Sequence, residues 1–213
     1  MLNGLEVLYA SEDLASKWGR CALLCNQASV DKNFNPSWQI LSQILGQNLV
    51  CLFGPQHGIE STVQDNMIET HHSIHPVLNI PIYSLYSSTR EPTLEMLQDV
   101  DTIVVDLQHV GTRVYTYKYT LSACLRAARK LNKKVVVLDR PNPLGGILVE
   151  GNILDLDLQS FVGEFDIPMR HALTIGEAAL YFNQFIHADL EIIKMQDWIP
   201  SSIWSDLQRH WIL

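Results

Sequence analysis

The chain contains 213 residues, the length of one large domain or of one domain and part of a second. Hydrophobic residues make up 47% and charged residues 18% of the sequence, a composition that excludes disordered, collagen-like and disulfide-scaffold proteins. The 15 basic and 23 acidic residues give a net charge of −8, which argues against nucleic acid and anionic membrane surfaces as partners.

The cysteines and the N-terminal segment bear on the cellular compartment. No CxxC pair occurs, and we expect reduced core residues at Cys21, Cys25, Cys51 and Cys124. The N-terminus lacks the basic stretch followed by an apolar stretch that is typical of a signal peptide. No apolar run approaches the roughly 20 residues that a membrane span needs. We therefore expect a cytoplasmic protein with no membrane partner.

Short apolar runs of strand type alternate along the chain with stretches of helical periodicity. Strands are predicted over residues 21–25, 49–53, 82–85, 102–107 and 134–138, with a sixth over 190–195. This alternation predicts an α/β fold in which a mainly parallel sheet is covered by helices on both faces.

Helices are predicted between these strands from apolar residues that are three and four positions apart. The first begins after Pro36, the second begins after Pro92, and a longer third helix ends near Asn132. The last helix begins near Thr174, because Thr174 and Glu177 have the spacing of a capping box.

The segment 144–170 and the chain end show no regular periodicity. A glycine-rich connection as long as 144–170 is usually functional or covers another part of a compact domain. The aromatic, apolar stretch at 204–213 has no helix stop signal, which is typical of a chain that stops within a domain. No internal repeat or flexible linker is predicted.

Four predicted strands are followed by polar residues at the place where parallel sheets bind ligands, the crevice outside their carboxyl ends. A loop can carry polar residues simply because it is exposed to solvent. Four such loops at neighbouring strand ends favour a binding site, and we expect Asn26, Gln56, Asp106 and Asp139 to lie at one edge of the sheet. The polar residues are Asn26; Gln56 and His57; Asp106, Gln108, His109 and Arg113; and Asp139, Arg140 and Asn142.

Asp106 and Asp139 adjoin apolar strands and are expected to be partly buried. A buried carboxylate needs a partner, which Arg113 or Arg140 could supply. A purely structural ion pair is the alternative to a role at the site.

Tyrosines occur where the third helix follows the Arg113 loop. At helical spacing Tyr115 and Tyr119 share a face, and Tyr117 points elsewhere. Aromatic faces beside amide and guanidinium donors suit sugar rings, whose C–H faces stack and whose hydroxyl groups need hydrogen bonds. Core packing between helix and sheet is the alternative.

Motifs of several enzyme classes do not occur in the sequence. The absence of GxSxG, GxxxxGK[ST], GxGxxG and HExxH patterns argues against serine hydrolases, P-loop NTPases, dinucleotide enzymes and zincins. Residues 69–75 contain one glutamate and three histidines, but no distant Cys/His set matches them, so a solvated loop is favoured over a metal site. We predict no metal and no cofactor.

Five motifs occur in the same order as in a known family. They are FGPQHGIES, DLQHVGTRVYTY, VVVLDRPNPLGGILVEG, SFVG and IPMRHALTIGE. The sequence resembles the bacterial exo-β-N-acetylmuramidases, long described as a domain of unknown function, which remove terminal N-acetylmuramic acid from peptidoglycan fragments. The resemblance implies a Rossmann-like domain over residues 1–196, the start of a truncated C-terminal domain over 197–213, and an active cleft between the two domains.

Two departures from the family pattern each remove a carboxylate. The family usually reads PEHG where this chain has Gln56 in place of the glutamate, and DxQDxGxRxYTY where it has His109 in place of the second aspartate. Most glycosidases use two carboxyl groups, one to protonate the leaving oxygen and one as base or nucleophile. Glutamine has no proton to give, so we expect weak or absent catalysis.

The resemblance also implies roles for individual residues. The catalytic candidates are Gln56 at the acid/base position, His57 as its polar neighbour, and the carboxylates Asp106 and Asp139. The candidate substrate contacts are Asn26, Gln108, Arg113, Tyr115, Tyr117, Arg140, Asn142 and His171. The implied partner is a muropeptide or another N-acetylmuramic acid glycan, and a second chain could supply the C-terminal domain.

The sequence leaves three interpretations open. The chain is a glycosidase of this family that acts in cell-wall recycling, with activity weakened at Gln56. Alternatively, it is a catalytically inactive sugar-binding or scaffold protein, which Gln56 and His109 favour. The third interpretation is a gene remnant or truncation that a second chain completes.

Overall fold

The computed structural model describes residues 1–61 and 69–212 of the chain. Within these residues the strands are β1 Cys21–Cys25, β2 Leu49–Gly54, β3 Ser73–Ile74, β4 Pro81–Ser84, β5 Thr102–Asp106, β6 Lys134–Leu138, β7 Glu150–Ile153, β8 Pro168–Arg170 and β9 Asp189–Ile193. The helices are α1 Gly4–Ala10, α2 Ser37–Leu45, α3 Leu94–Leu97, α4 Tyr117–Leu131 and α5 Ile175–Ile186.

Seven of these strands form one sheet in the order β3-β4-β2-β1-β5-β6-β9. The short β3 pairs with β4 in the antiparallel direction, and all other neighbours in the sheet are parallel. The register places Cys25 of β1 opposite Asp106 of β5, so these two strands end at the same level. The mixed, mostly parallel sheet confirms the predicted α/β class and is consistent with a Rossmann-like domain.

Helices cover both faces of the sheet, because the central strands are apolar on both sides. Leu24 of β1 and Val105 of β5 pack in one core with residues of α4 and α5. Leu23 and Val104, their neighbours in sequence, pack on the other face with residues of α1 and α2. All four side chains are fully buried, which explains why these strands occur as unbroken apolar runs in the sequence.

The predicted strands agree with the observed ones to within two residues at each end, and the predicted helices are also confirmed. α2 follows Pro36, and α3 follows Pro92 by one intervening residue. α4 ends where Asn132 adopts a left-handed conformation with φ of 52°. α5 begins with the predicted capping box, in which the Thr174 and Glu177 side chains each accept from the other residue's backbone N–H.

Three parts of the fold lie outside the sequence predictions. The short β3 is an edge strand within residues 69–75, where a solvated loop was expected. α1 begins at a capping box formed by Asn3 and Glu6, a pattern that the sequence analysis did not use. β7 and β8 form a small antiparallel sheet within 144–170, where an irregular segment was expected. All residues of β7 are exposed, so this strand has no apolar alternation that a sequence pattern could detect.

The last described residues fold back onto the start of the chain. Leu2 and Gln196 form an isolated antiparallel bridge. Further on, the Trp204 backbone N–H donates to the Pro143 carbonyl oxygen at 2.9 Å, and Arg209 forms an ion pair with Glu6. Residues beyond 196 therefore pack against earlier parts of the chain, and a domain boundary at 196 stays a prediction.

Two further features concern the cysteines and the helices. All four cysteines are free and buried, as expected for core residues, and burial raises the pKa of Cys21 and of Cys51 to about 12. Among the helices of the described residues, none combines the length and the apolar character needed to cross a membrane.

Candidate functional site

The carboxyl ends of β2, β1, β5 and β6 lie side by side at one edge of the sheet, as predicted. Asp106 ends β5, and Asp139 follows β6 directly. Asn26 follows β1, and its Nδ2 donates to the Tyr117 hydroxyl oxygen at 3.2 Å. The same hydroxyl donates to the Gln56 backbone carbonyl at 3.4 Å. One tyrosine therefore joins the loops that follow β1 and β2.

A cleft of about 640 Å³ opens at this edge. Its walls come from the loop after β2, the segment that leads into α4 and two other loops. The described residues that line it are Gln56, His57, Tyr86, Arg90, Val114, Tyr115, Thr116, Tyr117, Ser160, Phe161 and Val162. None of them is an aspartate or a glutamate. The cleft thus offers amide, hydroxyl, imidazole and guanidinium groups between aromatic walls.

The Gln56 side chain is held in the cleft by the residue that precedes α4. Thr116 Oγ1 donates a hydrogen bond of 3.0 Å to Gln56 Oε1. The surrounding turn is closed by Gly58, whose N–H donates to the Pro55 carbonyl at 2.9 Å. Gly58 has φ of 80°, a left-handed conformation that glycine adopts without strain. The amide at position 56 is therefore fixed without any bound substrate.

The tyrosines near the start of α4 differ in their surroundings. The helix begins at Tyr117, so Tyr115 precedes it and the predicted shared face with Tyr119 is wrong. Tyr115 is half-buried in the cleft wall, with its ring 4.7 Å from that of Tyr117. Tyr119 is buried and donates to the Arg113 carbonyl at 2.7 Å. Tyr115 can therefore meet a ligand, and Tyr119 belongs to the core.

Asp106 forms a buried ion pair with Arg140. Its carboxylate is fully buried and accepts bonds of 2.5 Å from Arg140 Nε and 2.8 Å from Nη2. The Arg140 Nη2 atom also donates to the Val30 carbonyl at 3.0 Å. This two-point contact matches the planar guanidinium to the carboxylate. The expectation that Asp106 needs a cationic partner is confirmed, and the partner is Arg140.

Asp139 is bound to the N-terminus of α5. Its carboxylate accepts from Thr174 Oγ1 at 3.1 Å and from the Gly176 backbone N–H at 2.8 Å. A Cβ atom at position 176 would lie 2.8 Å from Asp139 Oδ1, so only glycine permits this approach. Burial raises the pKa of Asp139 to about 6. Asp139 is therefore held by Thr174 and by backbone N–H groups, and not by the arginine side chain that the sequence suggested.

Three of the predicted substrate contacts also have protein partners. Gln108 Nε2 donates to two backbone carbonyl oxygens at 2.8 and 2.9 Å. Asn142 Nδ2 donates to the Leu173 carbonyl at 3.0 Å. Arg113 Nη1 donates to two backbone carbonyl oxygens at 2.7 and 2.9 Å, one of them next to β8. These side chains hold loops together beneath the edge of the sheet.

His109 and His171 form a stacked, buried pair with ring centroids 5.5 Å apart. His109 Nδ1 accepts from the Gly111 N–H at 3.0 Å, and His171 Nδ1 accepts from the Leu173 N–H at 3.1 Å. Burial lowers the pKa of both imidazoles, to about 3 for His171. Both rings are therefore neutral and carry their proton on Nε2.

Lys118 is a buried, titratable residue near the cleft that the sequence analysis did not identify. Its side chain is fully buried, and Nζ donates to the carbonyl oxygens of Thr112, Arg113 and Tyr115 at 2.6, 3.0 and 2.8 Å. Burial lowers the pKa of Lys118 to about 7. The signal in the sequence is a lysine between two tyrosines on a helix that is otherwise buried at this end. Lys118 fixes the segment that carries Tyr115 into the cleft.

Two of the three histidines in residues 69–75, His72 and His75, have structural contacts. His72 Nδ1 accepts from the Ser84 N–H at 3.0 Å, and His75 Nδ1 accepts from the Leu78 N–H at 3.1 Å. The His75 ring also packs 4.4 Å from that of Trp38. Over residues 1–61 and 69–212, no group of three or more His, Cys, Asp and Glu side chains is arranged to hold a metal ion.

Two further cavities adjoin the cleft. One of about 260 Å³ shares Tyr115 with the cleft and extends to the C-terminal segment. The other, of about 520 Å³, shares His57 with the cleft and includes Glu69, which belongs to the histidine-rich segment 69–75, and Glu60, which the sequence did not single out.

The predicted site residues therefore form three groups, which lie in the cleft, in the cavity of about 260 Å³, or outside the cavities. The cleft includes Gln56, His57, Tyr115 and Tyr117. The smaller cavity includes Asn26, Gln108 and Arg140. The residues that line none of these three cavities are Asp106, Arg113, Asp139, Asn142 and His171. Arg90, Tyr86, Thr116 and Phe161 also line the cleft and were missed. Arg90 and Phe161 lie away from any predicted strand end, whereas Tyr86 directly follows the predicted strand 82–85 and Thr116 lies between two tyrosines that were singled out.

Comparisons with known proteins agree in pointing to one family. The N-terminal family of the exo-β-N-acetylmuramidase NamZ matches residues 21–213. The peptidoglycan β-N-acetylmuramidase NamZ of Bacillus subtilis (strain 168) is 39% identical over 213 residues, which are 99% of this chain and 51% of that protein.

Solved structures give the same result. A DUF1343 family protein of Bacteroides fragilis NCTC 9343 superimposes with a TM-score of 0.90 at 36% identity, covering 99% of this chain and 54% of that one. A second DUF1343 protein of the same organism has a TM-score of 0.79 at 29% identity, covering 95% of this chain and 54% of that one.

The chain thus spans about half the length of the relatives it matches. The family match over residues 21–213, the superposition on two solved structures and the motifs at the strand ends agree. The chain belongs to the family of the exo-β-N-acetylmuramidase NamZ N-terminal domain.

Proposed function

We propose that this chain recognises the terminal N-acetylmuramic acid of peptidoglycan fragments in the Gln56 cleft and hydrolyses its glycosidic bond weakly or not at all. Support comes from the family and from the B. subtilis relative, which is a peptidoglycan β-N-acetylmuramidase. The cleft supplies an aromatic ring at Tyr115 and hydrogen-bonding groups around it, which suit a sugar. A role in cell-wall recycling in the cytoplasm is part of the proposal.

The observation that carries the proposal is the amide of Gln56 in a cleft without a described carboxylate in its lining. Glycosidases commonly need one carboxylic acid to protonate the leaving oxygen and a second carboxylate as base or nucleophile. The Gln56 amide can hold a glycosidic oxygen by a hydrogen bond but cannot give it a proton. Asp106 and Asp139, the other catalytic candidates, are engaged by Arg140 and by α5.

A catalytically inactive sugar-binding protein is the second candidate function. It is favoured by the same amide and by His109, whose imidazole is neutral and buried where the family usually has a carboxylate. In both cases the partner is a muropeptide or another N-acetylmuramic acid glycan. A second chain that supplies the other half of the relatives' length would complete the cleft in the active form.

The test is the turnover of a chromogenic N-acetylmuramide by the wild-type chain and by Gln56→Glu. We expect weak or undetectable turnover by the wild type and an increase of about 10²-fold or more in the variant, the range credited to general acid catalysis. Gln47→Glu, which adds the same charge at an exposed position, is the matched control and should change nothing.

The assay should include Gln56→Glu combined with His109→Asp, and a fusion to the second half of a relative. These arms separate the missing acid from the other departures. Rapid hydrolysis by the wild type, with no effect of Gln56→Glu, would show that position 56 is not the acid. Sugar binding by all variants without turnover would favour the binding protein.

A further inference from the structure

Arg90 stands out in the cleft because aromatic rings, not acidic groups, surround its guanidinium. The guanidinium carbon lies 4.9 Å from the centroid of the Tyr86 ring and 4.5 Å from that of Phe161. Cations are attracted to the faces of aromatic rings. Two rings on different loops thus hold one exposed cation in the wall of the cleft that contains Gln56.

Two carboxylates that lie close to Arg90, one in sequence and one in the fold, are paired with other cations. Glu91, the next residue, accepts from Arg126 Nε at 3.1 Å and from Lys130 Nζ at 2.6 Å. Glu164 also forms an ion pair with Arg126. No carboxylate of residues 1–61 and 69–212 lies within 4.0 Å of the Arg90 guanidinium. A guanidinium without an acidic partner in the wall of a cleft can pair with an anionic group of a ligand.

We propose that Arg90 binds the lactyl carboxylate of N-acetylmuramic acid and makes the cleft select this sugar over N-acetylglucosamine. The inference rests on the proposed function. N-acetylmuramic acid differs from N-acetylglucosamine only by the lactyl ether on O3, which ends in a carboxylate. A planar guanidinium can donate two parallel hydrogen bonds to that group. The neutral groups around Gln56 and Tyr115 can bind the parts that the two sugars share.

The rings of Tyr86 and Phe161 restrict the guanidinium before the ligand binds. An arginine side chain has many rotamers, and fixing them on binding reduces affinity. Contact with two rings limits that loss and leaves the N–H edge available to a carboxylate. Arg90 is thus a specificity residue for the sugar, and Tyr86 and Phe161 are positioning residues.

The experiment measures binding of the methyl glycosides of N-acetylmuramic acid and N-acetylglucosamine by isothermal titration calorimetry. The wild-type chain should bind the muramic acid derivative about tenfold or more tightly, as expected for a charge-assisted hydrogen bond. Arg90→Gln should remove this preference and leave the affinity for the glucosamine derivative unchanged. Arg90→Lys, which keeps the charge without the planar fork, should retain part of it.

Arg129→Gln is the matched control, because Arg129 is an exposed arginine on α4 outside the cleft. Phe161→Leu tests the positioning step and should lower the preference less than Arg90→Gln does. Conversion of the lactyl carboxylate to its amide should abolish the preference in the wild type. Circular dichroism spectra of all variants verify folding.

The outcomes separate the two proposals. If the wild type binds neither sugar, the proposed function is contradicted and the role of Arg90 is contradicted with it. If the wild type prefers the muramic acid derivative and Arg90→Gln keeps that preference, the function stands and the inference about Arg90 is overturned. Equal binding of both sugars by the wild type also overturns the inference about Arg90 alone.

Discussion

Two regions at the same edge of the sheet use polar side chains in opposite ways. Beyond β5 and β6, Asp106, Arg140 and His171 are buried and bound to partners in the protein. Beside β2, Gln56 and Arg90 line an open cleft, and the Arg90 guanidinium has no acidic partner among the described residues. We refer to the first set, with Asp139, His109 and Lys118, as the buried cluster, and to the second as the open cleft.

The contrast distinguishes residues that stabilise the fold from residues that are available to bind a ligand. A charge in the buried cluster has lost its hydration, so its protein partners must replace the hydrogen bonds of water. A group in the open cleft keeps its hydration until a ligand arrives, and it can exchange water for that ligand. The buried cluster also holds the segment 112–115, which carries Tyr115 to the cleft wall.

The largest effect is expected from Asp106→Asn in the buried cluster. The substitution leaves the Arg140 guanidinium buried without its counter-charge, which should lower the free energy of unfolding by about 3–5 kcal/mol. Urea unfolding followed by circular dichroism measures the change. Adding Arg140→Met should recover part of the loss, because it removes the unpaired charge. Asp99→Asn breaks an exposed pair with Arg20 and should cost less than about 1 kcal/mol.

The next effect is expected at Lys118, the link between the two regions. Lys118→Met removes three hydrogen bonds to buried carbonyl oxygens while it also removes a buried charge. We expect a loss of about 1–3 kcal/mol of stability, the cost of leaving buried acceptors unsatisfied. Sugar binding should weaken as well, because the Tyr115 segment loosens. Arg129→Met on the exposed face of the same helix is the control, and equal effects of the two variants would contradict the link.

Acid should destabilise the protein through the buried imidazoles. His109 and His171 have a lowered pKa in the folded chain, whereas imidazoles of the unfolded chain titrate near 6.5. Below pH 6.5 the unfolded chain therefore binds protons that the folded chain does not, and stability falls as the pH falls toward 3. Each imidazole contributes up to about 1.4 kcal/mol per pH unit.

Asp139 opposes this trend. Its pKa is raised to about 6, so the folded chain binds a proton between pH 6 and 4 that the unfolded chain does not. Burial also lowers the pKa of His75 and raises the pKa of Glu164, two shifts with opposite effects on stability. Three imidazoles outweigh two carboxyl groups, and a net loss remains. In urea titrations at pH 7, 6 and 5, His109→Asn and His171→Asn should each reduce the pH dependence of stability, because asparagine does not titrate. Asparagine can still accept the backbone hydrogen bond, so the fold should be kept. The exposed His71→Asn should leave it unchanged, and an unaltered slope in both buried variants would contradict the assignment.

The sequence predicts the edge of the sheet better than it predicts which groups face solvent there. The strand ends bring Asn26, Gln56, Asp106 and Asp139 to one edge because parallel strands end together. Whether a polar side chain then points into the protein depends on partners that are distant in sequence. Arg140, for example, reaches Asp106 across 34 positions.

The cleft residues that the sequence did not predict also depend on contacts between distant parts of the chain. Arg90 and Phe161 are 71 positions apart in the sequence and meet only through the tertiary fold. Neither lies at a strand end or in a periodic pattern, so local sequence carries no signal for their contact. The exposed strand β7 was missed for a related reason, since a strand without a buried face has no alternation.

The smallest effects are expected in the open cleft, and they sharpen the contrast with Asp106. Gln56→Glu keeps the shape of the side chain and an oxygen that accepts from Thr116, so stability should change by less than about 0.5 kcal/mol. Arg90→Gln loses two ring contacts at an exposed site and should cost no more than about 1 kcal/mol. The measurement is the urea unfolding used for Asp106→Asn, at pH 7. A loss as large as that of Asp106→Asn in either variant would mean that the cleft residue supports the fold, because recognition of an absent ligand adds nothing to the stability of the free protein.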